Sequence, residues 1–469
     1  MKRTPLVKGT FFRDVGYEPH AGQREVHDCR APRRVLACGV RWGKTRCAAM
    51  EGLAAAMEPK QRSIGWIAAP TYDLADKVFR EIVLIAAEHL RHRIVSIKEN
   101  ERRLVVRNMA GGQSEVRAKS ADNPISLLGE GLDWLVIDEA ARLRPVVWEG
   151  YLSQRLLDKR GWALLLSTPC GKGWFYDMFR RGQGADPDYA SWNSPSRANP
   201  HLNPDLIEAE RARLPERVFR QEYEGEFIEG AGSVFRKVRE CATGEWREPV
   251  PGERYVAGLD LAKVEDFTVL VVMNRMREVV FADRFHRLDW SIQVSRIKAA
   301  LQRYNHAEVL VDSTGIGEPV YESLRAAGCK AEPYSLTQSS KNDIINHLAL
   351  ALEQGTIVLP KPALWPEGID EIEAFEYSIT DSGNVRTSAP SGVHDDCVIG
   401  LGLALWQCGN SHPTFATVRS VALGPPKIAA GVYGMLKFAT RTPRFAVTKF
   451  VDPRGEEPPD EPVNDERRA

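Results

Sequence analysis

Carboxylates in the second half of the chain stand where apolar runs begin or end. Asp260 follows Val256-Ala257-Gly258-Leu259, and Asp266 lies six residues later at the start of the next apolar run. Asp312 follows Val309-Leu310-Val311, and His394-Asp395-Asp396 opens the apolar stretch 397–406. A carboxylate at the end of a buried strand emerges at the sheet edge, so neighbouring strands pool their charges there. Hard oxygen ligands gathered in this way suit two Mg²⁺ or Mn²⁺ ions. Such a pair supports phosphodiester cleavage, one ion activating water and the other stabilising the leaving oxygen. Each aspartate alone is equally at home as a turn residue or a helix cap. Taken together, in this order of elements, they point to a nuclease.

The first half carries a different chemistry. Val35-Leu36-Ala37 runs into Cys38-Gly39-Val40-Arg41-Trp42-Gly43-Lys44-Thr45, followed by the helix-compatible Arg46-Cys47-Ala48-Ala49-Met50. A strand, a glycine-containing loop and a helix N-terminus aim backbone N–H groups at phosphate oxygens. Lys44 is placed for the β/γ-phosphates of ATP and Thr45 for its Mg²⁺. The usual first glycine of this pattern is Cys38, with Gly39 one residue late. Leu135-Val136-Ile137 then ends in Asp138-Glu139, where Asp138 suits the Mg²⁺ shell and Glu139 the attacking water. Gln23, after Tyr17-Glu18-Pro19, stands where many nucleic-acid motors recognise adenine. Leu164-Leu165-Leu166 ends in Ser167-Thr168, small hydroxyls suited to sensing γ-phosphate and passing its state on. Arg41 is a candidate for stabilising charge on the transferring phosphoryl group.

These residues need elements to carry them. Apolar, β-branched runs at 35–37, 64–68, 104–106, 135–137 and 163–166 alternate with amphipathic stretches such as 74–90. That alternation predicts a parallel sheet flanked by helices, an α/β domain of the P-loop type. A charged helical stretch at 204–224 and glycines at 230 and 232 are expected to form a joint. The expected domains are an ATPase over 1–230, a linker over 231–252 and an RNase H-like nuclease over 253–410. Strand patterns at 255–260, 268–273 and 279–283, a helix at 290–304 and a strand at 309–312 carry that last assignment. In an RNase H-type sheet the first and fourth strands are neighbours, which brings Asp260 and Asp312 together. Residues 411–469 form an extension whose charged, proline-rich end is expected to be disordered.

Composition sets the bounds. With 27% charged and 43% hydrophobic residues, the 469-residue chain has a globular profile and room for two or three cores. Lys plus Arg equals Asp plus Glu at 63 each, so bulk charge names no partner. Residues 1–13 contain Lys2, Arg3 and Lys8 and no apolar core, so no signal peptide is expected. The apolar stretch 397–408 is too short to span a bilayer. The eight cysteines form no CxxC pair and are expected to be reduced thiols.

From about Gly16 to Trp406 these segments resemble the large terminase subunit of tailed bacteriophages. The resemblance rests on Ala69-Pro70-Thr71-Tyr72, Arg41-Trp42-Gly43-Lys44-Thr45, Leu128-Gly129-Glu130-Gly131-Leu132-Asp133 before Asp138-Glu139, and Ser167-Thr168-Pro169. It continues through Asn199-Pro200, Phe219-Arg220-Gln221-Glu222-Tyr223 and Gly225-Glu226-Phe227. The nuclease half adds Gly258-Leu259-Asp260, Asp312 with Thr314-Gly315, Lys341, and Ala389-Pro390 before His394-Asp395-Asp396. The resemblance implies a motor that hydrolyses ATP to drive double-stranded DNA into a procapsid and cuts the concatemer. It also implies a homo-oligomeric ring on the portal protein, a small terminase subunit that selects DNA, and work in the host cytoplasm without a membrane. The family's usual arginine near 129–130 is Glu130 here. One of Asp395 and Asp396 is expected to hold metal and the other to support it, and the motif leaves open which. The rival reading is a helicase-like ATPase with a repair or restriction nuclease, which needs a second RecA-like domain where an RNase H-type order stands.

Overall fold

A computed structural model describes residues 5–228, 233–261, 267–314, 317–379, 385–388 and 394–409. The first sheet contains β1 (Arg33–Cys38), β2 (Arg62–Ala69), β3 (Ile94–Lys98), β4 (Arg103–Arg107), β5 (Gln113–Ser120), β6 (Trp134–Asp138), β7 (Trp162–Ser167) and β8 (Tyr189–Ser194). Their spatial order is β3-β4-β5-β2-β6-β7-β1-β8. Six strands, from β5 across to β8, are parallel, and four of them, β1, β2, β6 and β7, coincide with apolar runs of the sequence. β3 and β4 instead run antiparallel at one edge, so the sheet is mixed. The sequence pattern predicts no strand at 94–98, 113–120 or 189–194, where the apolar signal is weak.

Both faces of the parallel part are covered, which is why its strands read as continuous apolar runs. Leu36, Ile67, Val136, Leu164 and Leu166 face one core. Val35, Ala37, Trp66, Leu135, Ile137 and Leu165 face the other, as the period-two alternation of side chains requires. The helix Lys44–Met57 lies in the first of these cores and is buried almost all round. Tyr72–His89 packs beside it, and its N-cap Thr71 accepts a hydrogen bond from the Leu74 amide.

The second sheet contains β9 (Tyr255–Asp260), β10 (Thr268–Asn274), β11 (Val279–Phe285), β12 (Glu308–Asp312) and β13 (Ala331–Tyr334), in the order β11-β10-β9-β12-β13. β9 pairs antiparallel with β10 and parallel with β12, so first and fourth strands are indeed neighbours. The helix Asp396–Gly409 crosses this sheet against β9 and β10, with Gln338–Glu353 packed on its other side. A short antiparallel pair, β14 (Glu376–Ile379) and β15 (Val385–Ser388), stands apart.

Two stretches between the sheets differ from their sequence reading. The helical stretch at 204–224 is two helices, Pro204–Arg211 and Glu216–Glu222, broken just before Pro215. Phe219 on the second is fully buried, and the Glu222 carbonyl accepts from the Val40 amide of the phosphate loop. The first part of the stretch expected as linker, residues 233–242, is packed, whereas 245–252 are largely exposed. Val234, Phe235, Val238 and Cys241 belong to the second sheet's core, and the Gly244 amide bonds the Leu359 carbonyl. Apolar residues spaced across 234–242 carry that burial, whereas the sequence reading weighed only the glycines and prolines around them. Glycines 230 and 232 and residues 411–469 lie outside the described residues. All eight cysteines are free, and among the described residues no helix is long and apolar enough to cross a membrane.

Candidate active sites

The phosphate loop follows β1, whose last residue Cys38 is buried, so the loop itself begins at Gly39. A Cβ on Gly39 would lie 2.4 Å from the Tyr223 carbonyl oxygen and 2.6 Å from Ser196 Oγ. Glycine is needed there because two other segments clamp the loop. The Gly39 amide bonds the Ser194 carbonyl, Ser196 Oγ donates to the Val40 carbonyl, and Asn199 Nδ2 donates to the Arg41 carbonyl. Arg41 is exposed with φ 61°. Trp42 contributes backbone only, since its side chain is buried against His20. Gln23 Oε1 accepts from the His20 amide and its Nε2 donates to the Gly43 carbonyl, tying the preceding helix to the loop.

Lys44 opens the helix and is buried, with Nζ donating to the Cys38 and Gly39 carbonyls at 2.6 and 2.8 Å. Nζ also donates to Thr168 Oγ1 at 3.2 Å. Burial lowers the Lys44 pKa, with Cys38, Glu139 and Asp138 acting the other way. Thr45, one residue on, is half-buried.

β7 lies between β1 and β6, so its C-terminal end sits between the phosphate loop and Asp138-Glu139. Ser167 Oγ approaches Glu139 Oε2 at 3.4 Å, while the next residue, Thr168, receives Lys44. The pair predicted as couplers thus touches both predicted catalytic groups. Burial and the adjacent Glu139 charge push Asp138 up to about 7. Glu139 has φ 52°, a region that a non-glycine residue occupies at a cost, and its Oε2 lies 3.6 Å from Arg142 Nε. Sequence reasoning missed Arg142 and the half-buried Glu222. Burial raises the Glu222 pKa, and Arg142 lowers it while Glu139 raises it. The Phe219–Tyr223 motif was visible in sequence, but nothing local tied it to the phosphate loop.

In the second sheet Val311 stands opposite Leu259, so the next residues, Asp312 and Asp260, emerge side by side at the strand ends. Neighbouring strands lie about 4.8 Å apart. The helix Asp396–Gly409 brings the third carboxylate because β9 lets it approach closely. A Cβ on Gly258 would lie 2.1 Å from the Gly400 carbonyl oxygen and 2.3 Å from the Ala404 amide nitrogen. Burial, then Asp396, Asp312 and Asp395, push the Asp260 pKa well above the usual carboxylate range.

The two adjacent aspartates differ in their surroundings. Asp396 is buried and its Oδ2 accepts from the Phe267 amide at 3.1 Å. Asp395 is half-exposed and accepts from Lys341 Nζ at 2.7 Å. Asp312 Oδ1 accepts from the Thr314 amide at 2.8 Å. Asp266 lies outside the described residues. Among the described residues no three His, Cys, Asp or Glu side chains close around a point as a finished metal cage. The donors are still all carboxylate oxygens converging on one sheet edge, chemistry that fits Mg²⁺ or Mn²⁺.

Residues 35–240 match the family model described as Terminase large subunit, T4likevirus-type, N-terminal, and residues 257–407 match Terminase RNaseH-like domain. The chain is 33% identical over 438 residues to the terminase large subunit of Thermus virus P23-45, spanning 85% of this chain and 89% of that one. The structure of a large terminase from another thermophilic bacteriophage has the same fold, with a TM-score of 0.55 at 14% identity over 84% of this chain and 99% of that one. The large terminase nuclease of phage G20c, solved with bound magnesium, is 31% identical over 37% of this chain and 97% of that one, with a TM-score of 0.35. The chain therefore belongs to the phage terminase large subunits, DNA-packaging ATPases that carry an RNase H-like nuclease.

Proposed function

We propose that this chain drives double-stranded DNA into a procapsid with its first sheet and cuts concatemeric DNA with its second. The observation that carries the motor reading is the end of β7, where Ser167 reaches Glu139 and Thr168 receives Lys44. One rigid strand end touching both groups lets the state of the nucleotide move a surface element. Lys44 would hold the phosphates of ATP, Thr45 and Asp138 its Mg²⁺, and Glu139 the attacking water. The loop amides of Arg41 and Gly43 would face the phosphates, since the Gly39 amide bonds the Ser194 carbonyl and the Trp42 amide the Gly39 carbonyl. The Gln23 tie to Gly43 supports a role in shaping the loop beside any contact with adenine.

At the second site Asp260, Asp312 and Asp396 would hold the divalent ions, with Mn²⁺ an alternative to Mg²⁺ and Asp266 an added ligand. Bound there, the ions activate water and offset charge at the phosphodiester. Asp395, engaged by Lys341, would support the cluster. The proposed domains are an ATPase ending near 228 and a nuclease starting near 233, since residues 234–242 pack with the second sheet. Assembly as a ring on a portal protein, DNA selection by a small subunit, and work in the host cytoplasm belong to this reading.

The test measures ATP hydrolysis and plasmid cleavage, with Mg²⁺ or Mn²⁺, on the same preparations of Lys44→Ala and Asp260→Asn. Losing a charge-stabilising or metal-holding group is expected to cost about a hundredfold or more. Lys44→Ala should lose hydrolysis and keep cleavage, and Asp260→Asn the reverse. Wild-type hydrolysis in the first or wild-type cleavage in the second refutes the corresponding assignment.

A further inference from the structure

We infer that Glu371, Arg284 and Phe267 form a closed loop of contacts that fixes Asp396 for metal, making Glu371 a positioning residue of the nuclease. The inference rests on the nuclease reading above. Glu371, on the helix Pro366–Ala374, is 5% exposed, and its two oxygens are divided between two jobs. Oε2 accepts from the Cys397 amide at 2.8 Å, next to Asp396 at the start of the helix Asp396–Gly409. Oε1 accepts from Arg284 Nη2 of β11 at 2.9 Å. The Arg284 guanidinium lies 3.5 Å over the centre of the Phe267 ring, and the Phe267 amide donates to Asp396 Oδ2 at 3.1 Å. The circuit thus begins and ends on adjacent residues.

Its physics is that of a ligand held from two sides. The first amides of a helix have no partner within it, and Glu371 satisfies one of them with a full charge. That fixes where the helix starts. The Phe267 amide fixes which way the carboxylate turns, and Arg284 locks Phe267 and Glu371 to each other through a cation–ring contact and an ion pair. Groups that orient a metal ligand in this way change metal affinity or activity by about 10–100-fold when lost. A buried ion pair with a merely structural role has another signature, since its loss lowers the melting temperature and leaves the metal requirement of the folded protein alone.

The experiment uses the full chain and MnCl₂ alone as probe. Calorimetry gives Mn²⁺ binding to the nuclease site, with ATP-site binding removed by carrying Lys44→Ala and Asp138→Asn in every preparation. Amide exchange at 394–399 in metal-free protein reports the helix start, and plasmid cleavage against Mn²⁺ concentration follows in parallel. Glu371→Gln, which leaves Arg284 unpaired and so lowers the melting temperature, is expected in its folded form to bind Mn²⁺ about 10–100-fold more weakly and to exchange faster at Cys397. Arg284→Met combined with Glu371→Leu replaces the pair by apolar groups, and serves if Glu371→Gln does not fold. It should fold and still bind Mn²⁺ weakly. Unchanged Mn²⁺ binding in whichever variant folds overturns the inference. Asp260→Asn in the same background separates the two failures. If it too binds and cuts normally, the nuclease reading falls. If it alone is defective, only the positioning loop does.

Discussion

Gly258→Ala tests how closely the nuclease site depends on one helix crossing one strand. An added methyl at 258 would stand 2.1 Å from the Gly400 oxygen, and reaching ordinary contact at 3.4 Å moves the helix by about 1.3 Å. Both near atoms are backbone, so no side-chain rotation relieves the clash. The same helix carries Asp396, which would withdraw from Asp260 and Asp312 by a similar distance. A misplacement of about 1 Å in a catalytic constellation costs on the order of a hundredfold in rate. Overpacking costs about 1–3 kcal/mol of stability, and each kcal/mol lowers Tm by about 2–4 °C in a domain of this size. Gly402→Ala is the matched control. It lies in the same helix, and its Cβ would meet Ile344 Cδ1 at an ordinary 3.5 Å. That change should leave cleavage intact and stabilise the helix by about 0.5–1 kcal/mol. Plasmid cleavage, ATP hydrolysis and thermal melting on both variants provide the readout. Cleavage by Gly258→Ala within about threefold of wild type would refute the reasoning, because the helix could then move without consequence for the site.

Asp395→Asn and Asp396→Asn should differ in titrations of cleavage against Mn²⁺, with Asp396→Asn the more severe. Equal loss in both would undo the distinction drawn from their surroundings. Glu51, buried on the phosphate-loop helix, bonds Arg34, His27 and Lys8. Burial alone would raise its pKa, but Arg34, the His27 hydrogen bond and Lys8 together hold it well below the usual range. Glu51→Gln strands a buried Arg34 and should cost about 3–5 kcal/mol in urea unfolding at pH 7. A depressed carboxylate stabilises fully above its unfolded pKa of about 4.3 and loses that contribution as pH falls through its folded value. The gap between wild type and variant should therefore narrow in acid, and a gap independent of pH would contradict the charge argument.

Much of the candidate site was legible in the sequence because its parts are local. Lys44-Thr45, Asp138-Glu139 and Ser167-Thr168 each end or follow a run that is apolar on both faces, so strand and loop announced themselves within a short window. Asp260 and Asp312 were legible for the same reason, and the strand order that joins them followed from counting elements. The weak edge strand β3 was invisible, since partial burial leaves little pattern. The burial of residues 234–242 was not visible because turn residues outweighed a few apolar positions whose partner surface, around Phe375 and Leu359, comes more than a hundred residues later.

What the sequence by itself determined is the set of candidate groups and the kind of element that carries each, because periodicity and punctuation are properties of a short window. Only the tertiary structure decided which groups meet. It set β7 between β1 and β6, so that Ser167 and Thr168 reach Glu139 and Lys44. It brought Glu222 and Arg142 beside the phosphate loop, and it turned Asp396 inward while Lys341 took Asp395. The direction of a carboxylate is settled by donors and charges from other elements, and a local window does not contain them.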